Sequence, residues 1–115
     1  MTLDNDVLRK QWSRQGIYQY NGIVNRKHSW KSEDQAIWFA PDRMDWAIGP
    51  MRSIGTSLRA ISSVFDKDVG LFDVPNNKWR YYAGRTGASK WKDIESGDIN
   101  ITCIGKKDKM LQPYA

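Results

Sequence analysis

The sequence predicts a mainly β fold: an antiparallel meander forming a small sandwich or barrel, with a short N-terminal helix. Three observations carry this expectation. Between residues 16 and 105, runs of apolar side chains alternate with period 2. Steps rich in Gly, Pro, Asn and Asp separate those runs at short intervals. Six of the 115 residues are tryptophan, with five tyrosines and three phenylalanines, and such side chains suit a pleated, half-buried surface.

The first fifteen residues differ in period. Leu3, Val7, Leu8 and Trp12 fall on one helical stripe. Thr2 is the expected N-cap, Asp4 and Asp6 sit near the positive end of the helix dipole, and Arg9, Lys10 and Arg14 sit near the negative end. Gly16 is a natural stop. The stripe predicts either packing on the chain's own domain or docking on a partner, with Leu3, Leu8 and Trp12 as the docking residues.

The alternating runs follow in order. Tyr18 and Tyr20 share a face; Ala36, Trp38 and Ala40 oppose Ile37 and Phe39; Trp46 pairs in direction with Ile48. Leu58, Ala60, Ser62 and Val64 alternate and predict a strand, although Leu58, Ile61 and Phe65 also fit a helical turn. Trp79 and Tyr81 oppose Arg80 and Tyr82, and Ile99, Ile101 and Cys103 alternate with Asn100 and Thr102. The predicted turns are Asn21-Gly22, Pro41-Asp42, Gly49-Pro50, Pro75-Asn76-Asn77, residues 84–87 and Ser96-Gly97. The chain thus divides into an N-terminal helix or docking segment at 1–15, a tryptophan-rich β domain at 16–105 and a basic tail at 106–115.

The length suits a single core. No apolar stretch is long enough to cross a bilayer, and the N-terminal stretch has acidic residues in place of the apolar segment of a signal peptide. An intracellular location is expected, cytoplasmic or cytoskeletal, or in an organelle entered without a cleaved presequence.

An ordered series of landmarks adds a resemblance. Gly16-x-Tyr18, Gly22, Asn25 and Trp30 are followed by Ile37-Trp38-Phe39, Trp46-x-Ile48-Gly49, Ala60, Pro75, Trp79 and Gly84. This resembles a tryptophan-rich β module found scattered in protist and invertebrate proteins, alone, in tandem or fused to other domains. The match covers about residues 16–84. Arg26 stands where the family often has Gly, and Trp30 where it has Tyr. The family has no settled catalytic activity, so the resemblance implies an interaction or scaffold unit, and it carries over no ligand residues.

Catalytic chemistry finds little to work with. One cysteine and one histidine exclude a disulfide framework within the chain, a cysteine-rich zinc site and a multi-histidine centre. Residues 84–90, GRTGASK, have glycines three apart and Trp91 after Lys90, which departs from a phosphate loop. Asp42, Asp45, Asp66, Asp68 and Asp73 lie in or near predicted turns and are expected to be solvated turn acids. Cys103 is expected to be a buried small hydrophobe, and Asn100-Ile101-Thr102 is a glycosylation sequon with meaning only in a secretory setting. No catalytic residue, metal ligand or cofactor is therefore predicted.

Charge is more informative. Eighteen basic against thirteen acidic residues give a net charge of +5. Arg26, Lys27, His28, Lys78 and Arg80 interleave with Trp30, Trp79 and Trp91, the composition of an aromatic–basic surface. The leading expectation is a non-catalytic structural subunit of a larger assembly. It would dock through Leu3, Leu8 and Trp12, through Lys106, Lys107, Lys109 and Tyr114, and through its basic face. A ciliary microtubule lattice, an organellar complex or a ribosome would be a suitable host. The alternative is a carbohydrate- or RNA-binding module in which Trp30, Trp79 and Trp91 stack on sugar rings or bases.

Overall fold

The computed structural model describes residues 1–64, 68–83, 90–103 and 113–114. Its elements are β1 (Thr2–Leu3), α1 (Asn5–Gln11), β2 (Gln19–Val24), β3 (Lys27–Lys31), β4 (Gln35–Ala40), β5 (Asp45–Pro50), β6 (Ile61–Ser63), β7 (Trp79–Tyr82), β8 (Trp91–Asp93), β9 (Ile99–Asn100), β10 (Thr102–Cys103) and β11 (Pro113–Tyr114). Strands β2 to β8 form one antiparallel sheet in strictly consecutive order, a pure meander. Two short ribbons, β1–β9 and β10–β11, complete the β structure. The fold is thus mainly β, an antiparallel meander with a short N-terminal helix.

Alternation sorts the side chains into two faces. Trp30, Ile37, Phe39, Trp46, Ile48, Ile61, Trp79 and Tyr81 join the main core on one face. Met1 and Leu3 at the start of the chain, Val7 of α1 and Ile99 of β9 cover that face, forming the second layer. On the opposite face Trp38, fully buried between Ala36 and Ala47, anchors a smaller cluster. β4 therefore reads buried at all six positions, as a central strand covered on both sides should. Indole nitrogens also tie loops to the sheet: Trp38 Nε1 donates to the Thr56 carbonyl at 2.9 Å, and Trp46 Nε1 to the Val69 carbonyl at 3.0 Å.

Four details differ from the sequence expectations. The helix begins at Asn5, not at Thr2, because Thr2 and Leu3 pair with Asn100 and Ile99 as a strand. The first hairpin turns at Asn25-Arg26, both with positive φ (55° and 74°), the geometry of a tight two-residue turn. Asn21-Gly22 is instead a bulge within β2, where the register shifts between Tyr20 and Gly22. Asn21 Nδ2 donates to Ser29 Oγ and Ser29 Oγ donates to the Gly22 carbonyl, which staples the bulge. In the 56–64 stretch only Ile61–Ser63 is strand; Leu58 is exposed and Trp38 has captured the Thr56 carbonyl.

Gly49-Pro50 ends β5 instead of turning freely. A Cβ on Gly49 would stand 3.3 Å from the Arg59 Cα, so the glycine admits the neighbouring backbone. No helix among the described residues is long and apolar enough to cross a membrane.

Candidate functional site

Among the concavities of the described residues, two lie against opposite faces of the sheet. The larger is a cleft of about 430 Å3 on the main-core side. The indoles of Trp30 (β3) and Trp46 (β5) form its floor, with ring centroids 6.2 Å apart. Their strands are fixed by pairing on either side of β4, so the floor is built by the sheet and not by a loop. Phe72, in the 3-10 turn Leu71–Asp73, stands edge-on to Trp30 at 5.6 Å and forms one lip. The bond from Trp46 to the Val69 carbonyl holds that segment in place.

The β2–β3 hairpin forms the other lip, with Ile23, Arg26, Lys27 and His28. Lys27 is ion-paired with Asp68 and lies over the Phe39 ring at 5.0 Å, bridging the two lips. His28 Nδ1 shares a hydrogen bond of 2.8 Å with the Tyr20 hydroxyl. Ile23 is 60% exposed and Phe72 38% exposed, so apolar surface borders the charged rim.

The predicted aromatic–basic surface is divided by this geometry. Arg26, Lys27, His28 and Trp30 do meet in the cleft. Trp79, at 2% exposure, is a core side chain and offers no platform. Trp30 is equally buried, so it presents a floor instead of a free ring face. Lys78 is exposed outside the cleft, whereas Arg80 and Trp91 face the opposite side of the sheet. Phe72 and Trp46 were not predicted as site residues; no local pattern brings residue 72 to residue 30, and only the tryptophan anchoring Val69 does so.

The predicted docking residues at the N-terminus are also separated. Leu3 is buried in the chain's own core and Leu8 packs against it, which is the packing alternative for these two residues. The cause is that Leu3 belongs to a strand, so the helical spacing does not extend to it. Trp12 alone of the three stands out, at 71% exposure. Lys106, Lys107 and Lys109 lie outside the described residues, as do Asp66 and the loop at 84–89. The Tyr114 backbone pairs with Thr102, and its side chain, like that of Cys103, lies outside what is described.

The second concavity, about 280 Å3, lies on the other face and contains the largest departure from expectation. Asp45, expected as a solvated turn acid, is the first residue of β5 and is 7% exposed. Its Oδ2 accepts from Arg59 at 2.9 Å and from Ser62 Oγ at 3.2 Å. Burial raises the Asp45 carboxyl above the ordinary carboxylate range, against the opposing pull of Arg59 and the Ser62 hydrogen bond. Arg43, Arg80 and Trp91 complete the wall.

Among the described residues no group of three or more His, Cys, Asp or Glu side chains is placed to hold a metal ion. Comparison with protein-family models, curated proteins and solved structures finds no match for the chain.

Proposed function

We propose that the protein is a non-catalytic interaction module, a structural subunit of a larger assembly, and that it holds a partner protein in the aromatic cleft. The observation that supports this reading is the convergence of Arg26, Lys27 and His28 on the rim with Trp30 and Trp46 on the floor. Phe72, set edge-on against Trp30, and the exposed Ile23 offer apolar contact area with little ordering cost on binding. A cationic rim selects acidic partners and speeds their approach.

The occupant that fits is an acidic segment of a partner chain carrying one aromatic or aliphatic anchor. The anchor seats in the cleft beside the exposed Phe72 and Ile23, above the Trp30–Trp46 floor, while the acidic flanks meet Arg26 and Lys27. The interaction-unit reading drawn from the tryptophan-rich resemblance agrees with this, and the net charge of +5 favours an acidic host surface.

A photo-crosslinking amino acid placed at position 72, and separately at position 12, tests the reading in protein expressed in its own host. Adducts from position 72 to an acidic stretch of one partner chain are expected, and Arg26→Glu should abolish them. Adducts from position 12 alone would move the interface to α1. RNA or glycan adducts at position 72 would replace the protein partner with the alternative ligand class.

A further inference from the structure

The cavity on the opposite face is lined by three guanidinium groups and one carboxylate, built by four different segments. Arg59 is the fixed member: its side chain is 3% exposed, one terminal nitrogen donates to the Ser57 carbonyl at 2.8 Å and the other to Asp45. Arg43 lies in the turn before β5, where its backbone N–H donates to the Ala40 carbonyl at 3.3 Å; its side chain is exposed and makes no hydrogen bond or ion pair among the described residues. Arg80 projects from β7, and among the described residues its side chain is paired only to Asp93, whose side chain is 85% exposed. An ion pair as open as that contributes little and yields readily to a better acceptor. Trp91 of β8 closes the wall, edge-on to Tyr82 at 5.7 Å.

Two features point to a ligand. The lining brings three guanidinium groups and one carboxylate to a concave wall, with Asp42 and Asp93 beside it, and guanidinium forks match a tetrahedral oxyanion. Asp45 Oδ1 is buried with no hydrogen-bond partner among the described residues. A buried acceptor left unmade is costly, and such groups in folded proteins are commonly satisfied by a ligand or an ordered water.

We propose that this cavity binds a small phosphate monoester bearing a hydroxyl group. The phosphate oxygens bridge Arg43 and Arg80, with Arg80 released from Asp93. The hydroxyl donates towards Asp45 Oδ1, directly or through one water, and Arg59 holds the Asp45 carboxylate in place. The volume of about 280 Å3 suits a ligand of sugar-phosphate size or a phosphorylated side chain, and is small for a dinucleotide. The proposal stands apart from the cleft, which opens on the other side of the sheet.

The test is an amide and indole NMR titration of the whole chain at fixed ionic strength, with glycerol 3-phosphate, methyl phosphate and a phosphoserine peptide. Saturable shifts at Ser62, Arg80 and the Trp91 indole are expected, with glycerol 3-phosphate binding several-fold more tightly than methyl phosphate. Arg43→Ala and Arg80→Gln, both at exposed side chains that folding does not require, should each weaken binding by about tenfold or more. Lys10→Ala, which removes a charge from α1, should leave binding unchanged. Tighter binding of the phosphoserine peptide would identify a modified partner chain as the source of the phosphate. Shifts that do not saturate, or that survive in both arginine variants, would overturn the site. Equal affinity for the two small esters would overturn the role of Asp45.

Discussion

Tyr81 donates its hydroxyl hydrogen to Asp6 of α1, joining the helix to β7, the strand next to the β8 edge of the sheet. Burial, then the hydrogen bond to Asp6 and the Asp6 charge, push the Tyr81 phenol up to about 12, against an ordinary value near 10. The folded chain therefore gives up that proton less readily than the unfolded chain. The stabilisation is complete below about pH 10 and is lost as pH rises through about 12. Tyr18, whose hydroxyl donates to the Arg14 carbonyl at 2.6 Å, is shifted in the same direction by its burial. Urea midpoints should thus fall between about pH 9 and about pH 11, and Tyr81→Phe should make the fall shallower without abolishing it. An unchanged slope in the Phe variant would show that Asp6 does not hold Tyr81. Asp45 illustrates what single residues conceal in a sequence. Alternation puts it opposite Trp46, on the face shared with Ala47, and that much was legible. Its partner Arg59 lies across a strand pairing that no local pattern specifies, so a turn acid and a buried ion-paired acid look alike in the sequence.

At the scale of elements, β2, β4, β5, β6, β7 and β9 were legible from alternation, whereas β1, β3, β8 and β11 were not, and the turns were less legible. The first hairpin shows why. Asn-Gly is the strongest short hairpin signal, yet here the bulge uses Asn21-Gly22 and the turn falls on Asn25-Arg26. Asn25 tolerates the left-handed region and is tethered by its Nδ2 to the Phe39 carbonyl at 2.9 Å. Arg26, at φ 74°, has no such compensation and carries the strain of a left-handed side chain. Arg26→Gly should relieve it, stabilising the protein by about 1 kcal/mol and raising Tm by about 3–6 °C in a thermal melt. Arg26→Ala keeps the strain while losing the charge, so its Tm should stay close to that of the parent. In both variants the proposed cleft loses a rim cation, and partner binding should weaken while the melting temperatures diverge. A glycine variant no more stable than the alanine variant would remove strain from the account of this turn.

The whole molecule is closed by its ends, and this was the least legible feature because it joins residues almost a full chain length apart. β1 pairs with β9, Asp4 N–H donates to the Asp98 carbonyl at 2.9 Å, and Asn5 Nδ2 donates to Asp98 Oδ1 at 2.8 Å. The meander itself consists of neighbouring pairings that short loops can find quickly. The β1–β9 ribbon is the non-local step that caps the main core with Met1, Leu3 and Ile99. Residues expected to form an N-terminal helix or docking segment therefore divide: Leu3 lies in the core, and Trp12 on the surface. Leu3→Ala should cost about 2–5 kcal/mol through the cavity it leaves, whereas Trp12→Ala should change stability by less than about 0.5 kcal/mol. Hydrogen exchange should show the Leu3 variant losing protection in α1 and β9 first, while β4 and β5, covered on both faces, keep theirs. Comparable destabilisation by both substitutions would mean that Trp12 packs in the native state, and the division of the N-terminal stripe would fail. The contrast also bears on partner binding. The cleft floor rests on Trp30 and Trp46 in the same core that the ribbon caps, so opening the ribbon should loosen the cleft from behind, whereas losing Trp12 should leave it intact.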